Sequence, residues 1–147
     1  MNKIKNYTSS VPPERSVTQI EKRLVAHGAR NIMKEYGAEG GLAGIAFIVN
    51  AHGKDMPFKI PARIDRVEKR LRESVRRPRN GTISRIKDQA QRTAWKILAD
   101  WVDIQMSLID LDQVEMLEVF LPFVYDVGRK QTFFEKIKDG NLKLLKE

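Results

Sequence analysis

A chain of 147 residues, 41% hydrophobic and 31% charged, has the size and composition of one globular domain, which excludes an intrinsically disordered chain. Cysteine is absent, which excludes disulfides, thiolate catalysis and cysteine-held zinc. The first residues lack the apolar core of a signal peptide and no run approaches the roughly 18 apolar residues of a membrane span, so the expected setting is the cytoplasm with no membrane partner. The net charge of +8 is local: residues 63–96 hold 12 Lys/Arg against 4 Asp/Glu, and residues 97–128 hold seven acids and no Lys or Arg.

In chain order, residues 4–11 read as a short strand closed by Pro12 and Pro13, whose missing amide hydrogens end pairing. Ser16, three residues before Gln19, has the spacing of a capping box. Val17, Ile20, Leu24 and Val25 then recur at helical intervals until Gly28, so a first helix is predicted there. Residues 30–60 change period: Ile32, Lys34 and Tyr36 alternate, residues 42–49 are densely apolar and residues 56–60 read as another strand. Turns over 37–41 and 50–54 complete an antiparallel meander. Pro61 suits the first turn of a second helix striped by Ile64, Val67, Leu71 and Val75, broken at residues 78–81.

A long third helix follows, with one stripe through Ile83, Ile86, Ala90, Ala94, Ile97, Trp101, Ile104 and Leu108 and a second through Trp95, Leu98, Val102, Met106 and Ile109. Asp112 and Glu115 repeat the capping pattern for a fourth helix over 113–121, stopped by Pro122, and a short amphipathic piece covers 133–137. The predicted fold is α+β: a β-α-β-β-β antiparallel sheet followed by two or three helices packed on one face, in a single domain over 1–147. Its first part, 1–62, is a helix plus a meander sheet, and its second, 63–147, is helical.

Chemical motifs are few. Gly37, Gly40, Gly41 and Gly44 lack the Lys and the following helix of a phosphate loop and read as a hairpin turn. His27 and His52 have no metal-ligand spacing, and Asp110, Asp112 and Glu115 lack the glycine of a calcium loop, so neither a metal nor a cofactor is expected. No serine or carboxylate constellation points to an enzyme.

The basic segment is what carries a function. Nine of its twelve cations are Arg, whose planar fork grips phosphate oxygens in pairs. Arg63, Arg66, Arg70 and Arg77 fall on one side of the second helix, Arg79 lies beside the proline turn, and Arg85 and Arg92 stand two turns apart on the third. These seven are the candidate phosphate ligands of a small nucleotide, with Phe58 as the ring that stacks its base. A nucleic acid is the alternative ligand, bound by counterion release, and a structural or host-partner role is the third reading. The bland reading is a solvated helix face laced by i,i+4 pairs such as Asp88 with Arg92 and Lys96 with Asp100. The two stripes of the third helix ask for more cover than one small domain gives, which predicts a homo-oligomer with Trp95, Trp101, Met106 and Phe120 at the interface. In such an oligomer the basic segment could also pair with the acidic segment of a neighbouring subunit.

The opening Tyr7-Thr8-Ser9-Ser10-Val11-Pro12, the segment Gln91-Arg92-Thr93-Ala94-Trp95 with Trp101, and Val119-Phe120-Leu121-Pro122 together resemble a family of small uncharacterised phage and prophage proteins. The likeness covers most of the chain and implies phage provenance. A basic, non-catalytic α+β oligomer is in turn similar in class and charge to phage anti-defence sponges that sequester nucleotide immune signals, the Thoeris anti-defence proteins among them. No functional residue is carried over from that likeness.

Overall fold

The computed structural model describes residues 3–77, 79–140 and 142–145. Helix α1 spans Pro13–Ala26, strands β1 Arg30–Tyr36, β2 Leu42–Ala51 and β3 Lys54–Pro61 follow, and helices α2 (Ile64–Glu73) and α3 (Asn80–Asp110) come next. Helix α4 (Met116–Phe120), a 3-10 turn over Leu121–Phe123, strands β4 (Tyr125–Asp126) and β5 (Gln131–Thr132) and helix α5 (Phe133–Asp139) complete the α+β order, with a last 3-10 turn over Lys143–Leu145. The class and the long third helix are as the sequence predicts, whereas several elements are not.

The predicted first strand is absent. Residues 5–8 form a turn instead, because α3 offers the backbone of this segment better partners than a strand would. Thr93 Oγ1 donates to the Asn6 carbonyl at 2.8 Å, while Gln89 Nε2 (3.0 Å) and Arg92 Nε (3.1 Å) both donate to the Ser9 carbonyl. Asn6 Nδ2 in turn donates to Asp100 at 2.8 Å. Burial, which by itself would push the Asp100 carboxyl up, is outweighed by the bonds from Asn6 and Lys96 and by the charges of Lys96 and Lys5, so its pKa is lowered. Ser16 is likewise not a cap. Pro12 and Pro13 start α1 four residues earlier, and Ser16 is buried inside it with its hydroxyl lacking a partner. At the other end Gly28, with φ +96°, and Ala29 donate to the Val25 and Leu24 carbonyls, the Schellman closure that a C-terminal glycine makes possible.

The sheet is an antiparallel meander in the order β1-β2-β3. His52 and Gly53, both at positive φ, make the tight β2–β3 turn closed by Ala51 opposite Lys54. Alternation in β2 and β3 buries Ile45, Phe47, Val49, Phe58 and Ile60 on the face that meets α1 and α3, while Glu35 and Lys59 pair at 3.0 Å away from it. Pro61 ends β3 and does not open α2, because Ala62 still donates to the Ala43 carbonyl of β2. The fourth helix begins three residues later than predicted: the capping box is Glu115 with Glu118, one turn along from the Asp112–Glu115 pair.

One core joins both halves of the chain. Trp95 is fully buried and its Nε1 donates to the Leu42 carbonyl at 3.1 Å, pinning α3 to the sheet. Phe120 lies against Phe47, Phe58 and Trp101 with ring centroids 5.5, 6.1 and 5.6 Å away. Trp95, Met106 and Phe120 are thus spent inside one chain and cannot be interface anchors; Trp101, half-buried against Phe120 and Phe123, belongs to the same cluster. The second stripe of α3 and the Ala94 and Trp101 positions of the first belong to the core of one chain, while Ile104 of the first stripe is exposed.

The acidic segment is also used within the chain. Asp100 pairs with Lys96 and Lys5, Asp103 with Arg23, Asp110 with His27 and Glu115 with His52. The His52–Glu115 contact, 2.7 Å long and exposed, raises the His52 pKa above its ordinary value near 6.5, first through the hydrogen bond and then through the carboxylate charge. A raised folded pKa means that the pair's contribution is complete below about pH 6.5 and is lost as pH rises through the folded value. Urea midpoints taken across this range should fall with rising pH more steeply for the native chain than for His52→Gln; parallel curves would exclude the linkage.

Candidate anion-binding site

The seven arginines singled out in the sequence do not converge. Arg92 is committed to Ser9 and to Gln89 (2.7 Å), so it anchors the N-terminal segment and not a ligand; the Asp88–Arg92 pair is not formed. Arg85 donates to the Gly81 carbonyl at 3.4 Å beside a groove between α2 and α3. Arg70 lies 3.9 Å from Glu73. Arg77 and Arg79 are exposed on the α2–α3 connection, next to Pro78, which lies outside the described residues. Phe58 cannot stack a base: it is buried against Phe47, with centroids 5.4 Å apart and planes 17° from parallel.

Arg63 and Arg66 do come together, with partners from the far end of the chain. Where β3 ends, Arg63 turns the backbone with φ 52° and ψ 48° to start α2, and Arg66 follows one turn along. Val124 pairs with Phe58 on the free edge of β3, which brings the β4–β5 hairpin and α5 alongside. The turn over 127–130 is held by Arg129 N donating to Asp126 Oδ1 at 3.0 Å, and it leaves Lys130 at φ 54°. Helix α5 then starts with a full capping box: Thr132 N and Oγ1 donate to Glu135 Oε1 (both 3.0 Å), and Glu135 N donates to Thr132 Oγ1 (3.2 Å).

These elements border an open pocket of about 460 Å³, within the range of small-ligand sites. Lys59, Arg63, Arg66, Lys130 and Lys138 line it, with Glu135 as its one acid and Tyr125 and Phe134 as its rings. Lys59 shares its charge between Glu35, at 3.0 Å, and the face of Tyr125, at 5.1 Å from the centroid. Among the described residues, Arg63, Arg66, Lys130 and Lys138 have no carboxylate within ion-pair distance, while Arg23, Arg72, Lys87 and Lys96 each do. Glu135 stays ionised beside them. Its two bonds from Thr132 lower its pKa first, and the nearby Arg63 and Lys59 charges add to that.

Arg63 and Lys130 share a second property. Seven non-glycine residues hold positive φ among the described residues, and four are Asn, Asp or His, which tolerate it. Of the other three, two line this cavity. Left-handed backbone at residues with no intrinsic preference for it concentrates at sites where the surrounding structure fixes a side chain for use.

A larger cavity, about 710 Å³, lies between α1, the β1–β2 turn and α3, but Glu14, Glu39, Glu68 and Asp88 outnumber Lys87 and Arg92 on its walls. That balance repels phosphate. Among the described residues no group of three or more His, Asp or Glu is placed to hold a metal ion, and no helix is long and apolar enough to cross a membrane.

Lys59, Lys130, Lys138, Tyr125 and Phe134 were not candidates from the sequence. A signal existed: residues 129–147 carry six Lys/Arg against three acids, beginning where the acidic segment stops, with Phe133 and Phe134 among them. No family model matches the chain, and neither a curated protein nor a solved structure matches it.

Proposed function

We propose that this protein captures a small phosphate-bearing nucleotide in the cavity between β3, α2, the β4–β5 hairpin and α5, and holds it without turning it over. The observation that carries the reading is the convergence there of four cations that, among the described residues, have no carboxylate within ion-pair distance, drawn from three separate stretches of chain. Exposed Arg and Lys facing one pocket from several sides form charge-assisted bonds to phosphate oxygens, and their mutual repulsion is relieved when an anion enters. Among the described residues, the one carboxylate on the wall, Glu135, is tied into a helix cap, which suits it to structure and not to proton transfer. Joined to the resemblance to small phage proteins, capture without turnover extends the reading to sequestration of a nucleotide immune signal.

A nucleic acid is the second reading, and it rests on the exposed Lys69, Arg76, Arg77 and Arg79 along and beyond α2. Titration calorimetry of the native chain, Arg66→Glu/Lys138→Glu and Arg76→Ala/Arg77→Ala/Arg79→Ala against pyrophosphate, nucleotides and a single-stranded oligonucleotide separates the two. Small phosphate ligands should bind one per chain, be lost in the cavity variant and persist in the α2–α3 variant. Oligonucleotide binding that is abolished by the loop variant and steeply salt-dependent, with no response to small phosphates, would favour nucleic acid instead.

A further inference from the structure

The cavity's charge and rings specify its ligand further than "phosphate", and this step rests on the binding reading just given. The five lining cations face one lining carboxylate, and the Lys59 charge is matched by Glu35 from outside the cavity. The surplus is therefore three positive charges: those of Arg63, Arg66, Lys130 and Lys138 less that of Glu135. A single phosphodiester carries one negative charge and would leave most of this surplus unmatched. Two linked phosphates ending in a free oxygen carry about three at neutral pH. The rings differ in availability. Tyr125 already has the Lys59 ammonium over its face. Phe134 is 49% exposed on the cavity rim, and among the described residues no ring or cation covers it.

We infer that the cavity takes a nucleoside diphosphate or triphosphate, with Arg63, Arg66, Lys130 and Lys138 on the linked phosphates and the base stacked on Phe134. Phe134 thus takes the part that Phe58, buried in the core, cannot play. Glu135 is a specificity-determining residue in this arrangement: its fixed charge lies among the cations, sets the surplus at three and weakens every anion in proportion to the charge brought near it.

The test is calorimetry on the full chain at one low ionic strength with pyrophosphate, the four nucleoside diphosphates ADP, GDP, CDP and UDP, AMP and cyclic AMP. Pyrophosphate and at least one diphosphate should bind, with AMP about tenfold weaker than ADP and cyclic AMP weaker again, in the order of their charge. Phe134→Ala, a change at an exposed position, should weaken the preferred diphosphate by at least about fivefold, the lower end of base–aromatic stacking, and leave pyrophosphate unchanged. Glu135→Gln keeps the cap, since Gln also completes the box, and should tighten both. Cyclic AMP binding as tightly as the diphosphates, or Phe134→Ala weakening pyrophosphate as much as nucleotide, would overturn the inference while leaving an anion site in place. Silence of pyrophosphate and of every nucleotide would instead remove the binding reading beneath it.

Discussion

Replacing Phe120 by Ala is expected to cost the fold about 3–5 kcal/mol, the range for a buried phenylalanine truncated to alanine. Phe120 is fully buried and is the residue on which three other rings close: Phe47 and Trp101 edge-on at 79°, Phe58 at 63°. Its loss removes the transfer free energy of the ring and leaves a void walled by aromatics, which cannot collapse by small rotamer shifts as aliphatic side chains do. The offset ring pairs add to the cost. Against a typical domain stability of about 5–15 kcal/mol, the variant should be close to half unfolded in modest urea. The check is a urea transition followed by Trp fluorescence, with Phe134→Ala as the surface control, expected within about 0.5 kcal/mol of the native chain. The same measurement decides what Phe120 is for. If it anchored a dimer, the variant would dissociate into folded monomers of nearly native stability, and its midpoint would not depend on protein concentration while that of the native chain would.

The contrast between Phe120 and Phe134 shows what the sequence could and could not reveal. Helical spacing finds the buried stripes of α3 and the period-2 alternation finds the meander, because both patterns report which face of one element is apolar. Neither reports what covers that face. The pair of stripes on α3 therefore read as an interface, when Phe120 and Phe123 return from the same chain to meet Trp101 and the second stripe joins the core. The segment 4–11 read as a strand because its composition allows one, and the decision was taken by Gln89, Arg92 and Thr93, 80 to 87 residues away. Arg92 shows the cost of this blindness at the site: an arginine at a good helical position turned out to serve the backbone of Ser9.

The candidate site was half legible for the same reason. Arg63 and Arg66 stand in the basic segment, where charge counting finds them. Lys130, Lys138 and Phe134 reach the cavity only because Val124 pairs with the edge of β3 and carries the hairpin and α5 with it. A net balance of 15 basic and 15 acidic residues outside 63–96 hid the second basic cluster, since the acidic segment before it cancels its charge.

Arg63→Gly and Lys130→Gly, made together, should lower phosphate affinity while leaving the fold as stable as before or more so. Both residues hold φ near +50°, where an L side chain costs about 1–2 kcal/mol and glycine costs nothing. Glycine gives back about 0.5–1 kcal/mol of that through the greater freedom of the unfolded chain. The balance at each position is between about zero and 1.5 kcal/mol in favour of glycine. Among the described residues, neither side chain has a carboxylate within ion-pair distance, so the gain is offset only by the longer-range attraction of Arg63 to Glu135. Binding moves the other way, because a charge-assisted hydrogen bond contributes about 1.5–3 kcal/mol, and losing two cations should weaken pyrophosphate at least about a hundredfold. A stabilised chain that no longer holds phosphate would mean that the left-handed turns are kept to present these two charges. A chain that is destabilised, or that binds as before, would place Arg63 and Lys130 among ordinary turn residues and would leave the cavity to Arg66 and Lys138.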